Sequence, residues 1–169
     1  RATGGLDGFG VPLPTVDPAI VLRSARALPG YGNTFAYGHY ALMKHLPTAG
    51  VAMLGAGAFA TAAALPPTRL LLRRVLPAAG QGPSEEVRAR SRFSVTFVGE
   101  GGGDRVVTRV SGGDPGYDET ARMLGEAALS LAQDGRGELT GALTPAMALG
   151  EGYRRRLQDQ GLRFDVLAP

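Results

Sequence analysis

The sequence predicts an α+β fold: a mixed, largely antiparallel sheet with helices packed on it, preceded by a helical and apolar first half. Three observations carry that expectation. Phe93, Val95 and Phe97 alternate with Ser94, Thr96 and Val98, the period of a half-buried strand, and "DRVVTRV" alternates again beyond Gly101-Gly102-Gly103. Asp17-Pro18 and Thr144-Pro145 each place a capping side chain before a proline suited to the first helical turn. Residues 49–65 contain no charged side chain at all. The expected division is an entry segment, helices and the apolar run over 1–80, then a β-β-α-β-α-β domain over 81–169.

In chain order, residues 1–18 are rich in Gly and Pro and read as extended. A helix through "AIVLRSARAL" stops at Pro29-Gly30. "YGNTFAYGHYALMKHLP" reads as a strand that turns into a helix. Pro66-Pro67 closes the apolar run and "TRLLLRRVLP" is a short basic and apolar helix. "AAGQGPSEE" is a linker in which Ser84, Glu85 and Glu86 begin another helical turn.

The two alternating strands follow, with the three glycines as hairpin loop. In "SGGDPGYDETARML", Asp114 is the expected N-cap and Pro115 the first helical residue. Tyr117, Ala121, Leu124, Ala128 and Leu131 then recur on one helix face, and Gly135 and Gly137 end it. "ELTGAL" is a strand candidate. A helix from Thr144-Pro145 runs to about Gln160, Gly161 stops it, and "LRFDVL" is the last strand.

Composition excludes several classes. With 44% hydrophobic and 20% charged residues the chain is an ordinary globular sequence. Its formal charge of +3 is too small for a basic nucleic-acid-binding protein, and aromatic and basic residues are not interleaved on one element. There are no cysteines, which removes disulfides, thiolate metal sites and thiol catalysis, and fits a reducing, cytoplasmic setting.

Three glycine-rich stretches are candidate cofactor cradles. "GAGAFA", Gly55 to Ala60, matches the dinucleotide pattern, but no acid follows at the spacing that holds a ribose. A small-residue helix packing closely on a neighbour accounts for it better. "GEGGGD" precedes a strand, so no helix dipole faces an anion there. Gly112-Gly113 does precede a helix, yet Asp114, Asp118 and Glu119 already supply negative charge. No cofactor-binding residue is assigned.

"QGPSEE", "VGEGGG", "SGGDPGYDETARML" and "LTPAMALGEGYRRRLQDQGLRFDV" together resemble the C-terminal half of the saccharopine dehydrogenase-like oxidoreductases, including actinobacterial trans-acting enoyl reductases. "DGFGVPLPTVDP" and "YGHYALMKHLP" fit the same family. The resemblance implies a parent enzyme with an N-terminal Rossmann domain that binds NAD(P), absent upstream of Arg1. This chain is then expected to shape the substrate pocket and self-associate as a homo-oligomer, without hydride transfer of its own. A double bond in a lipid precursor is the implied substrate.

His39, Tyr37 and Tyr40 are the candidate catalytic residues: a His–Tyr cluster can protonate a carbanion or polarise a carbonyl, although aromatic packing explains it as well. Two histidines without nearby acids make no metal site. Arg154-Arg155-Arg156 point in different directions around a helix and read as a solvated face. The alternative reading is a non-catalytic membrane-associated or protein-interaction module, peripheral to the inner membrane face. It rests on Ala49–Leu65 with Arg69, Arg73 and Arg74. As a helix that run extends roughly 26 Å, short of the ~30 Å hydrocarbon core.

Overall fold

The computed structural model describes residues 8–76, 80–134 and 139–168. Helices and antiparallel sheets make up an α+β fold, 49% helical and 21% strand. The chain divides into two compact units, one of residues 1–19 and 36–82, the other of 20–35 and 83–169.

The first unit holds a two-stranded antiparallel sheet of β1 (Phe9–Pro12) and β2 (Tyr40–Met43), with Phe9 opposite Met43 and Pro12 opposite Tyr40. From β2 the chain enters α2 (Leu46–Ala64), so the expected strand-to-helix passage is present. Leu65 sits before Pro66 and is driven into an extended conformation (φ −86°, ψ 129°), which ends α2. Pro66 and Pro67 then occupy the first turn of α3 (Pro66–Val75), where no amide partner is needed. The two helices meet at 110°. The hydroxyl of Thr68 donates to the Ala62 carbonyl at 2.6 Å and to that of Leu65 at 3.1 Å, satisfying carbonyls that the break leaves over.

The second unit is built on a three-stranded antiparallel sheet, β3 (Phe93–Gly101), β4 (Asp104–Gly112) and β5 (Arg163–Ala168), with β4 in the centre. Gly102 (φ 61°) and Gly103 (φ 93°) form the two-residue hairpin turn, both in the left-handed region that side-chain-bearing residues avoid. Helix α1 (Asp17–Ala27) enters this unit over residues 20–27, where Ser24 bonds the hydroxyl of Thr144 at 2.8 Å. Helix α4 (Glu85–Arg90) starts where Ser84 accepts the Val87 amide. Helices α5 (Asp118–Gln133) and α6 (Pro145–Asp159) pack together: Tyr153 donates to the Met123 carbonyl at 2.9 Å, and Arg156 of α6 pairs with Asp134 just beyond α5 at 2.9 Å. Val107, Leu157 and Leu162 are the buried apolar residues among those described.

Four expectations change. Residues 139–143 form no strand, so this half reads β-β-α-α-β after α4; Gly141, at φ 101°, turns the backbone there out of strand geometry. Glu138, Gly135 and Gly137, like residues 1–7 and 77–79 of the expected entry segment and linker, lie outside the described residues. Helix α5 begins at Asp118, not beside Asp114, because residues 115–117 make a separate turn first. Helix α6 is broken at Gly150, whose φ of 56° and ψ of −147° are non-helical. Finally, the face of Tyr117, Ala121, Leu124, Ala128 and Leu131 is the exposed side of α5, while Glu119 and Ser130 are buried.

Candidate functional site

The glycine corner between β4 and α5 is filled by the chain's own carboxylates. Asp114 accepts the amides of Tyr117 at 2.6 Å and Asp118 at 3.3 Å, an Asx-type cap across the intervening turn. Those amides hold the Asp114 carboxyl below the ordinary carboxylate range, the Tyr117 bond most of all, against the opposing effect of burial. Glu119 turns back from the first turn of α5 and accepts the Gly113 amide at 2.9 Å, while Arg122 donates to its other oxygen at 2.8 Å. A side chain on Gly113 would put its Cβ 3.0 Å from that Glu119 oxygen, and one on Gly112 would sit 2.8 Å from the Phe93 ring. The glycines make room for a buried acid. The amides of Gly113, Tyr117, Asp118 and Glu119 are taken up by the chain's own oxygens.

The other two glycine stretches offer no cradle either. Gly55 and Gly57 lie in the interior of α2, where backbone amides are committed to the helix rather than presented at its start. The close packing expected of this small-residue helix is not found: a Cβ on Gly50, Gly55 or Gly57 would meet no described atom within 4 Å. "GEGGGD" is the end of β3 and the hairpin turn. No hydride step is derived from these three stretches.

In the first unit, Tyr37 and His39 come together and Tyr40 does not join them. The Tyr37 hydroxyl lies 3.1 Å from His39 Nδ1, and donates to it in the tautomer protonated on Nε2. His39 is held by its own backbone, whose carbonyl accepts the Leu13 amide at 3.0 Å. Tyr40 is exposed, its ring lying over Gly10 and Gly38. Burial, and then the negative charge of Asp17, raise the Tyr37 phenol above its usual range. Asp17 itself is held low, chiefly by a hydrogen bond from Thr15. Asp17 is the residue that sequence reasoning missed as a neighbour of this pair; its role as a helix start hid it. The assembled group is a protonated phenol positioned by an imidazole, a unit that can deliver one proton.

The three consecutive arginines diverge. Arg154 is taken by Glu151 and Gln158, Arg156 by Asp134 and Gln133, and no common anion site forms between them. Beside the Gly150 break lies a cavity of about 350 Å³ lined by Ser130, Asp134 and residues 147–150 and 152. On α3, Arg69 and Arg73 share a face four residues apart, and no ion pair forms to either among the described residues. Among the described residues no cluster of His, Asp and Glu could hold a metal ion.

No family model and no solved structure matches the chain. Curated proteins do. The chain is similar to mycobacterial trans-acting enoyl reductases. It is 37% identical over 102 residues to a Mycobacterium tuberculosis protein provisionally given that name. It is 37% identical over 94 residues to the trans-acting enoyl reductase of Mycobacterium ulcerans, and 35% over 97 residues to that of Mycobacterium leprae. These alignments cover 58%, 54% and 56% of this chain, but 24%, 22% and 23% of the relatives. The matched part of the chain thus spans about a quarter of the length of the curated relatives.

Proposed function

We propose that this chain is the substrate-facing, self-associating region of an NAD(P)-dependent enoyl reductase of the saccharopine dehydrogenase-like type, acting on a double bond in a lipid precursor. The observation that carries the reading is the similarity, at 35–37% identity over more than half of the chain, to proteins named trans-acting enoyl reductases. The relatives' greater length leaves room for a nucleotide domain outside the matched segment.

Reduction of an enoyl group needs one proton at the α-carbon. Tyr37 is the residue proposed to supply it: its phenol carries the proton and is held 3.1 Å from His39 Nδ1, and once that proton has gone to the α-carbon the phenolate is reprotonated from solvent. The test is NADPH consumption by the parent-length protein with a long-chain enoyl thioester. Tyr37→Phe is expected to lower kcat by about 100-fold, within the range for a lost general acid, with KM little changed. Full activity in Tyr37→Phe would remove this residue from the chemistry. No turnover by the parent-length protein with any enoyl thioester would remove the reading as a whole.

A further inference from the structure

Helix α2 is poorly accommodated by the rest of its unit. It carries no charged residue from Leu46 to Ala64, and its large apolar side chains stand in solvent on several sides: Leu54 is 76% exposed, and Val51, Met53 and Phe59 are exposed too. A helix that is apolar all round belongs inside a protein or inside lipid. Among the described residues, α3 packs on it most and β2 more lightly, both within the same unit.

The charge around it is one-sided. Between residues 44 and 76 stand Lys44, Arg69, Arg73 and Arg74 and not one acid. The remaining 14 basic residues face all 15 acids elsewhere in the chain, so the whole positive excess belongs to this elbow. Helix α3 is two-sided, with Arg69 and Arg73 opposite Leu71 and Val75, and Val75 is 78% exposed. Cations thus stand at both ends of α2 and none along it.

Two of the elbow's threonines bond its own backbone. Thr61 donates to the Gly57 carbonyl at 2.9 Å, and Thr68 covers the carbonyls at the break. Such internal satisfaction is what an apolar medium demands, since no water is there to replace it. Among the described residues no single helix is long and apolar enough to cross a membrane; the α2–α3 pair qualifies only as a bent unit. With cations at both ends, the elbow suits one leaflet.

We propose that the α2–α3 elbow docks the protein on an anionic bilayer surface, with α2 sunk among the acyl chains and Lys44, Arg69, Arg73 and Arg74 at the headgroups. The proposal does not depend on the enzymatic reading, because its test measures binding and not turnover. The 169-residue chain is floated with vesicles of phosphatidylcholine, with and without about 30 mol% phosphatidylglycerol. Binding is expected with the anionic vesicles and to weaken as salt is raised. The triple variant Arg69→Gln, Arg73→Gln, Arg74→Gln is expected to lower partitioning on the order of 100-fold. Leu54→Asp with Phe59→Asp should abolish it while leaving the circular dichroism of the sheet unit unchanged. Wild-type protein that fails to float at low salt overturns the proposal. So does flotation that survives the two aspartates, which would leave α2 outside the lipid. If those aspartates instead split a dimer seen by light scattering, and no vesicle is bound, a second copy covers the elbow and lipid does not.

Discussion

Replacing Glu119 tests whether the glycine corner is architecture. Glu119 is 4% exposed and its side chain makes two bonds, to the Gly113 amide at 2.9 Å and to Arg122 at 2.8 Å. An amide bonded to a buried carboxylate contributes about 1.5–3 kcal/mol. The Arg122 guanidinium is more exposed, so that pair adds about 0.5 kcal/mol. Glu119→Ala is therefore expected to cost about 2–3 kcal/mol, or about 5–10 °C in Tm for a chain of this size. Glu119→Gln keeps an acceptor for Gly113 and should cost about 1 kcal/mol. Urea unfolding followed by circular dichroism, with the slope m held constant, gives both values. A loss below about 0.5 kcal/mol in Glu119→Ala would refute the assigned bond. Equally damaging would be inorganic phosphate raising the Tm of the wild type through Gly113.

Three further outcomes follow from individual residues. Gly150→Ala should destabilise by about 1–3 kcal/mol in thermal unfolding, because φ 56° with ψ −147° strains any L side chain although no atom lies within 4 Å of the new Cβ. The Asp114 carboxyl has a lowered pKa in the folded state, so its contribution is present above the unfolded value near 4 and is lost as pH falls through the folded one. The stability gap between wild type and Asp114→Asn should accordingly shrink below about pH 4 and stay constant above pH 5. Ser24→Ala removes the 2.8 Å bond to buried Thr144 and should cost about 1 kcal/mol by chemical unfolding.

Much of the second unit was readable because its signals are local. The hairpin turn needs two left-handed residues, and Gly102 and Gly103 supply them; Ser84 and Thr144 each accept the amide three residues on, as capping chemistry requires. What escaped depends on contacts far apart in sequence. Asp114 looked like a helix cap and does bind helix-start amides, but a turn over 115–117 intervenes before α5. The apolar stripe from Tyr117 to Leu131 is a genuine helix face, yet the buried side is the one where Glu119 reaches Gly113 and Ser130 is enclosed. Periodicity finds a stripe without saying what lies against it. The Gly150 break was hidden because single glycines such as Gly150 and Gly152 inside a helical pattern are ordinarily tolerated. Of the candidate proton donors, proximity in sequence suggested three, and the β2 strand separates Tyr40 from the Tyr37–His39 pair.

The most direct measurement is an NADPH titration of the nitrogen-15-labelled chain, read at the amides of Gly55, Gly57 and Gly113. With these amides committed to α2 and to Glu119, their resonances should stay in place up to millimolar nucleotide. A saturable shift at any of the three with a micromolar Kd would contradict the account, and would put the nucleotide in this region.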